Sequence, residues 1–406
     1  MSSDSSTLTS HGRDTLNNNC SCSCKNSINA EIIKAEALRL GFSACGVAQA
    51  GPVSEEHADA FLRWTADGKH AGMAYMTNYT DLRFNPCKLM PGARSVVSVA
   101  LNYYPQQLLG ADQYQFAFYA YGKDYHDVLR ARLQQLVAST PLADAECRIC
   151  VDTAPILERY WAQHSGIGWI GTNKNLIVPH IGSFVFLGEI VTSAEFSQYD
   201  APMTNHCGNC RRCFDACPTK ALTSSPSSSS ISPSSSSISS SSPVSPSSSF
   251  NNSFTASSLD ARRCFSYLTI EHRGEYTDEM LRLFSESMHN NADGCTSHPV
   301  RGCNLADETE IATNGETAEM IHDNSPKHYV YGCDRCQLAC PHNRNAVPTS
   351  VAEFAPSHQF LSMKPTDWHQ LSREDYQNLF RGSAVKRVKY EGLLRNISLF
   401  VDEKMG

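Results

Sequence analysis

The sequence predicts a mixed α/β domain over residues 29–202, a small cysteine-rich module over 203–345 and a helical C-terminal segment over 346–406. Apolar strand-like runs alternate with helix-period segments up to about residue 200, the pattern of α/β folds. Two tight cysteine runs, Cys207 to Cys217 and Cys333 to Cys340, each close on Cys-Pro and bracket the middle of the chain. Beyond them the sequence returns to helical periodicity.

At 406 residues the chain has room for two compact domains, or one large domain with an appendage. It contains no apolar run of about eighteen residues, the length that suggests a membrane span. Its Ser- and Asn-rich start lacks the charged-then-apolar layout of a secretory signal, so a soluble cytoplasmic chain is expected. The net charge of −7, from 41 acidic and 34 basic residues, excludes binding of nucleic acid through a global basic field. Lys386-Arg387-Val388-Lys389, with Arg395 nearby, still concentrates positive charge locally.

The elements follow in order. Residues 1–28 are expected to be a disordered tail. Asn29 caps a helix from Ala30 whose apolar face carries Ile32, Ile33, Ala37, Leu38 and Leu40, and Gly41 stops it. Residues 45–48 read as a short strand, and Ser54 caps a helix running to about Asp67. The β-branched run 95–102 reads as a strand buried on both faces. Asp124 caps a helix that turns Val128, Leu129, Leu133 and Leu136 inward. Residues 147–152 form a further strand, Pro155 opens the next helix at its first position, and Gly166 ends that helix. Residues 183–192 complete the strands. Two polar insertions interrupt the cysteine module: 223–258, almost pure Ser and Pro, and the acidic stretch 290–326. The first closes as a loop at modest entropic cost.

Of the seventeen cysteines, Cys45, Cys87, Cys147 and Cys150 read as buried thiols in apolar segments, while Cys20, Cys22 and Cys24 fall in the tail. The run Cys207-x2-Cys210-x2-Cys213-x3-Cys217-Pro218 has the bacterial ferredoxin layout. Three thiolates wrap one iron–sulfur cube and the fourth crosses to a second. Such a turn also aims backbone N–H groups into the concavity, which suits an anionic cluster. Structural zinc needs four ligands that close on one ion, commonly as two pairs, and leaves the terminal Cys-Pro unexplained. Cys333-x2-Cys336-x3-Cys340-Pro341 is the same motif without its first cysteine. Cys264 is the best-placed substitute, with Cys295 and Cys303 in the polar insertion as alternatives. Crossing with Cys264 assigns Cys207, Cys210, Cys213 and Cys340 to one cluster, and Cys217, Cys264, Cys333 and Cys336 to the other. The result is a ferredoxin-like module with two [4Fe–4S] clusters, near enough to pass one electron through both. Residues 29–202 then need a task of their own.

Six motifs stand in order along the chain. They are Tyr121-Gly122-Lys123-Asp124-Tyr125-His126, Val151-Asp152-Thr153-Ala154-Pro155-Ile156-Leu157-Glu158-Arg159, Gly166-Ile167-Gly168-Trp169, Gly182-Ser183-Phe184-Val185-Phe186-Leu187-Gly188-Glu189, Arg263-Cys264-Phe265-Ser266-Tyr267-Leu268-Thr269 and Tyr331-Gly332-Cys333-Asp334-Arg335-Cys336-Gln337. Together they resemble the epoxyqueuosine reductases, which complete queuosine synthesis on tRNA, over about residues 30–400. The resemblance implies an α/β (α+β) domain that binds base-off cobalamin beside the two clusters. It also implies a monomer that takes tRNA bearing epoxyqueuosine in its anticodon, an external low-potential electron donor, and no membrane.

By the same resemblance Asp152 is the proton donor, and desolvation beside the corrin should raise its pKa as a general acid requires. Its other reading is a cap for the helix opening at Pro155. Arg83, Asp152, Leu176, Leu187, Cys333 and Asp334 are implied near the corrin, as is the loop of Lys123, Tyr125 and His126. One position departs from the family: Thr172 stands where relatives carry Lys after Gly171, and Lys174 follows two residues later. Residues 383–396 resemble the family's helical tail, where Lys and Arg suit phosphates of an anticodon stem. The implied reaction removes the epoxide oxygen with two electrons and two protons. The rivals are a cobalamin- and iron–sulfur-dependent reductive dehalogenase, which usually carries a twin-arginine signal not seen in residues 1–28, and a ferredoxin-type electron carrier.

Overall fold

A computed structural model describes residues 27–224, 257–289 and 328–400. The expectations for the tail, for Cys20, Cys22, Cys24, Cys295 and Cys303, and for most of both insertions lie outside the described residues.

The centre is a four-stranded sheet of β1 (Ala44–Gln49), β2 (Ser95–Asn102), β3 (Cys147–Cys150) and β4 (Val185–Thr192), in spatial order β1-β2-β4-β3. All three pairings are antiparallel, with Ser95 opposite Thr192 and Cys150 opposite Glu189. The fold is therefore mixed α/β content on an antiparallel sheet. Strand β2 is buried along almost its whole length because both faces are covered. Val97, Val99 and Leu101 enter one apolar cluster, while Val96 and Ala100 enter two others on the opposite side.

Helices α1 (Ala30–Arg39) and α3 (Tyr125–Ala138) pack on the first face, and helix α4 (Glu158–His164) on the second. Helix α3 starts where Asp124 accepts the N–H of His126 at 3.0 Å, and it buries Val128, Leu129, Leu133 and Leu136. Each such Leu contributes about 1.5–3 kcal/mol by leaving water. Helix α1 is capped by Asn29 as its sequence suggests, but it turns Ala30, Ile33 and Ala37 inward and leaves Ile32 and Leu38 about half exposed, at 49% and 55%. Helix α2 (Glu55–Ala66) is capped by Ser54, which accepts the N–H of His57. Helix α4 begins at Glu158, three residues after Pro155, and no side chain caps it.

The cysteine module is tied to this frame at two places. Strand 222–224 pairs antiparallel with 257–259, so the outermost residues of the Ser-rich stretch are themselves paired strands. Tyr329–Tyr331 runs parallel to Gln115–Phe116, immediately before Cys333. The C-terminal helices share the main core: Trp368, Val385 and Leu393 sit in the same apolar cluster as Leu129 and Phe116. Among the described residues no helix is long and apolar enough to cross a membrane.

Candidate active site

A cavity of 1190 Å³ opens between helix α2, the first turn of α3, the segment after β3, and residues 383–387. It is larger than the roughly 300–1,000 Å³ of ordinary small-molecule sites. Phe61, Trp64, Leu82, Ile156 and Leu157 give it apolar walls, and Arg83, His126, Asp152, Glu158 and Lys174 bring charge into it.

Asp152 lies two residues beyond the end of β3, at φ 53°, in the left-handed region that a residue with a side chain seldom adopts. Thr153 N–H donates to Val151 O at 2.5 Å across it, which makes Asp152 the centre of a tight three-residue turn. Its Oδ2 stands 3.1 Å from His126 Nε2, and the other ring nitrogen, Nδ1, stands 2.6 Å from Asp124 Oδ1. The three side chains form one line, Asp124 to His126 to Asp152. Tyr125 holds the imidazole from the side, stacked at 4.2 Å on His126 and at 4.3 Å on Phe186.

These contacts decide where the proton sits. The helix N-terminus beside His126 disfavours its cation by about 0.3–1 kcal/mol. The hydrogen bonds to Asp124 and then Asp152 outweigh that and raise the imidazole to about 9. The same hydrogen bond from His126 lowers Asp152 below its ordinary value, against desolvation. The sequence expectation of a raised Asp152 is thus reversed, because a cation from a distant helix meets the carboxylate. The neighbouring acid is the one raised: removal from bulk water pushes half-buried Glu158 up to about 8. Beneath it, fully buried Glu189 is held well above its ordinary value by burial and by Glu158, and neither of its oxygens has a hydrogen-bond partner. Asp152 does not cap α4; its backbone N–H donates to Glu158 Oε1 at 2.5 Å instead.

The other expected residues are dispersed. Arg83 lines the cavity, with Nη2 3.4 Å from Tyr75 O and the guanidinium 5.8 Å from the Phe61 ring centroid. Lys174 lines it too, and burial lowers its pKa to about 8. Leu176 and Leu187 pack in a separate apolar cluster with Ala100 and Ile170. Asp334 is buried and accepts the N–H of Phe118 at 2.7 Å. Neither it nor Cys333 lines the cavity. Of the basic C-terminal run, Arg387 is held by both oxygens of Glu271, at 2.9 and 2.8 Å, and Arg395 by backbone carbonyls of His272 and Gly274. Lys386 and Lys389 remain exposed and line a 500 Å³ hollow with Arg373 and Arg381.

The twelve described cysteines are all free thiols, and eight of them fall in two groups. Cys213 has Cys207, Cys340 and Cys210 as its electrostatic neighbours, while Cys336 has Cys333, Cys264 and Cys217, and last Cys213. Burial, reinforced by neighbouring thiolates, pushes Cys213 up to about 12 and Cys340 to about 11. Several backbone N–H groups point at these sulfurs: Thr172 at Cys207 (3.5 Å), Ala221 at Cys217 (3.2 Å), and those of Ser266 and Tyr267 at Cys264. Among the described residues no three His, Cys, Asp or Glu side chains are spaced to hold one metal ion. A cube spreads its thiolates over separate irons and does not need that spacing.

A curated epoxyqueuosine reductase of Cellulophaga algicola is 34% identical to this chain over 370 residues, spanning 91% of this chain and 96% of that one. This chain belongs to the epoxyqueuosine reductase family. A family member from Leadbetterella byssophila is 35% identical over 373 residues, covering 91% and 97% of the two chains. The family model described as epoxyqueuosine reductase QueG, DUF1730 matches residues 83–153, a range that includes Arg83 and Asp152. The same fold recurs in the crystal structure of an epoxyqueuosine reductase with an epoxyqueuosine-modified tRNA-Tyr stem loop (TM-score 0.65, 24% identity, covering 91% of this chain and 80% of that one). As an epoxyqueuosine reductase family member the chain is an oxidoreductase.

Proposed function

We propose that this chain reduces the epoxide of epoxyqueuosine at the tRNA wobble position to queuosine, the last step of queuosine synthesis. Likeness to epoxyqueuosine reductases over nearly the full length of both chains supports it. The reaction removes the epoxide oxygen as water and consumes two electrons and two protons.

The residues fit the cofactors this requires. Cys207, Cys210, Cys213 and Cys340 would hold one [4Fe–4S] cluster, and Cys217, Cys264, Cys333 and Cys336 the other. The grouping of the eight thiols and the backbone N–H groups aimed at Cys207, Cys217 and Cys264 favour this reading, since such donors stabilise an anionic cluster. A base-off cobalamin would lie in the 1190 Å³ cavity against its apolar walls, with Arg83 and Asp152 at its edge. When bound, the clusters and corrin, loaded by an external low-potential donor, supply the two electrons.

The chain's own groups handle the protons and the substrate. Asp152 and His126 share one of the two protons at the cavity, held on the imidazole at neutral pH and delivered through the Asp152 carboxyl to the departing oxygen, while the second comes from solvent water. Asp124 keeps the imidazole oriented and charged. The hollow of Arg373, Arg381, Lys386 and Lys389 adjoins the cavity through Lys386, which lines both, and suits the phosphates next to the flipped-in nucleoside. Anaerobically purified enzyme, reconstituted with iron, sulfide and cobalamin and supplied with a low-potential reductant, should convert epoxyqueuosine in tRNA to queuosine on nucleoside analysis. Full iron and cobalamin content without product would refute the assignment.

A further inference from the structure

We propose that Glu158 is a positioning residue that holds the Asp152 turn in its working shape through the backbone hydrogen bond it accepts. The inference rests on Asp152 serving the reaction described above. Asp152 sits at φ 53° in a turn closed by the Thr153 N–H to Val151 O bond, a conformation that costs on the order of 1–3 kcal/mol and persists only where the surroundings fix it. Strand β3 ends at Cys150 and helix α4 starts at Glu158, so neither element dictates the shape of residues 151–157.

Side-chain contacts hold it. The Asp152 carboxylate is fixed by His126 Nε2 at 3.1 Å and by a hydrogen bond with Tyr125, and its backbone N–H by Glu158 Oε1 at 2.5 Å. The first two hold the side chain, and Glu158 holds the backbone. Glu158 supplies that anchor from the first turn of a helix, a more rigid base than the loop. An acceptor oxygen is all this role needs, and that separates it from acid chemistry by the carboxyl.

The test compares Glu158→Gln, which keeps an oxygen in the same place, with Glu158→Ala, which removes it, in the reconstituted holoenzyme. For Glu158→Ala, kcat on epoxyqueuosine tRNA should fall by about 10- to 100-fold, the cost of displacing a reacting group by an ångström, with KM unchanged. Glu158→Gln should restore kcat to within about threefold of wild type, since its amide oxygen can still fix the turn. Hydrogen exchange at the Asp152 amide gives a reading independent of turnover: slow in wild type and Glu158→Gln, fast in Glu158→Ala. Equal loss in both variants would assign Glu158 to proton transfer and overturn the proposal. So would unchanged exchange in Glu158→Ala, a defect confined to KM, or a fall in iron content. A wild type that makes no queuosine would refute the functional reading, while the exchange comparison would still decide the role of Glu158.

Discussion

Gly332 packs so tightly on Ala117 that a Cβ at position 332 would stand 2.4 Å from the Ala117 Cβ. Its φ of 72° is also one that side chains resist, and its N–H donates to Thr269 Oγ1 at 2.9 Å. The close approach lies where strand 329–331 has just paired with 115–116, one residue before Cys333. Gly332→Ala should therefore cost about 1–3 kcal/mol through strain and overpacking, and move Cys333. Iron per chain and the thermal midpoint should both fall; an unchanged iron content would separate this turn from the cluster proposed at Cys333.

Asp152→Asn keeps the shape of the turn but cannot carry the proton. Turnover on epoxyqueuosine tRNA should drop by about 10²- to 10⁴-fold, while bound iron and cobalamin stay at wild-type levels. Wild-type rates in this variant would remove Asp152 from the chemistry.

His126 sets a pH limit. The fold raises its pKa from 6.5 to about 9, so it favours the protonated form. The stability this contributes is complete below pH 6.5 and is lost as pH rises through about 9. Activity should fall over the same limb, as the shared proton leaves. In His126→Asn the thermal midpoint should approach the wild-type value as pH rises through that window. A wild-type kcat profile flat through pH 9 would count against the imidazole as the proton store.

Lys386 and Lys389 border the hollow beside the cavity mouth. The double change Lys386→Glu and Lys389→Glu should weaken tRNA binding at low salt. It should also flatten the salt dependence by about 0.7–0.9 in log–log slope for each phosphate that is no longer neutralised. Iron content should not change. Affinity and slope equal to wild type would place the RNA elsewhere.

Local signals in the sequence were strong enough to locate most elements. The caps at Asn29, Ser54 and Asp124, the strand 95–102, and the inward face of α3 all appear where short-range chemistry puts them. Pairing direction was not legible: the run 95–102 reads as a strand buried on both faces, which says nothing of direction, and the sheet that holds it is antiparallel. Ile32 and Leu38 belong to the apolar pattern of α1 but miss the narrow stripe of Ala30, Ile33 and Ala37 that meets the sheet. Helix α4 starts later than Pro155 because residues 151–157 are spent on the Asp152 turn.

At the site, the place of Asp152 just beyond a strand end was legible and its protonation was not. The group that lowers it, His126, is 26 residues away and arrives only through the fold. Glu158 was visible as part of a motif, and the spacing from Asp152 to Glu158 was the available hint that one could reach back to the other.

The three rungs joining Leu222 to Leu259, Thr223 to Ser258 and Ser224 to Ser257 work as a clasp. They bring the two ends of the Ser-rich stretch together between Cys217 and Cys264, so the number of residues strung between the rungs drops out of the geometry of the thiols. The clasp therefore marks a natural port in this enzyme, where an affinity handle or a fluorescent reporter can be spliced without disturbing the two groups of thiols.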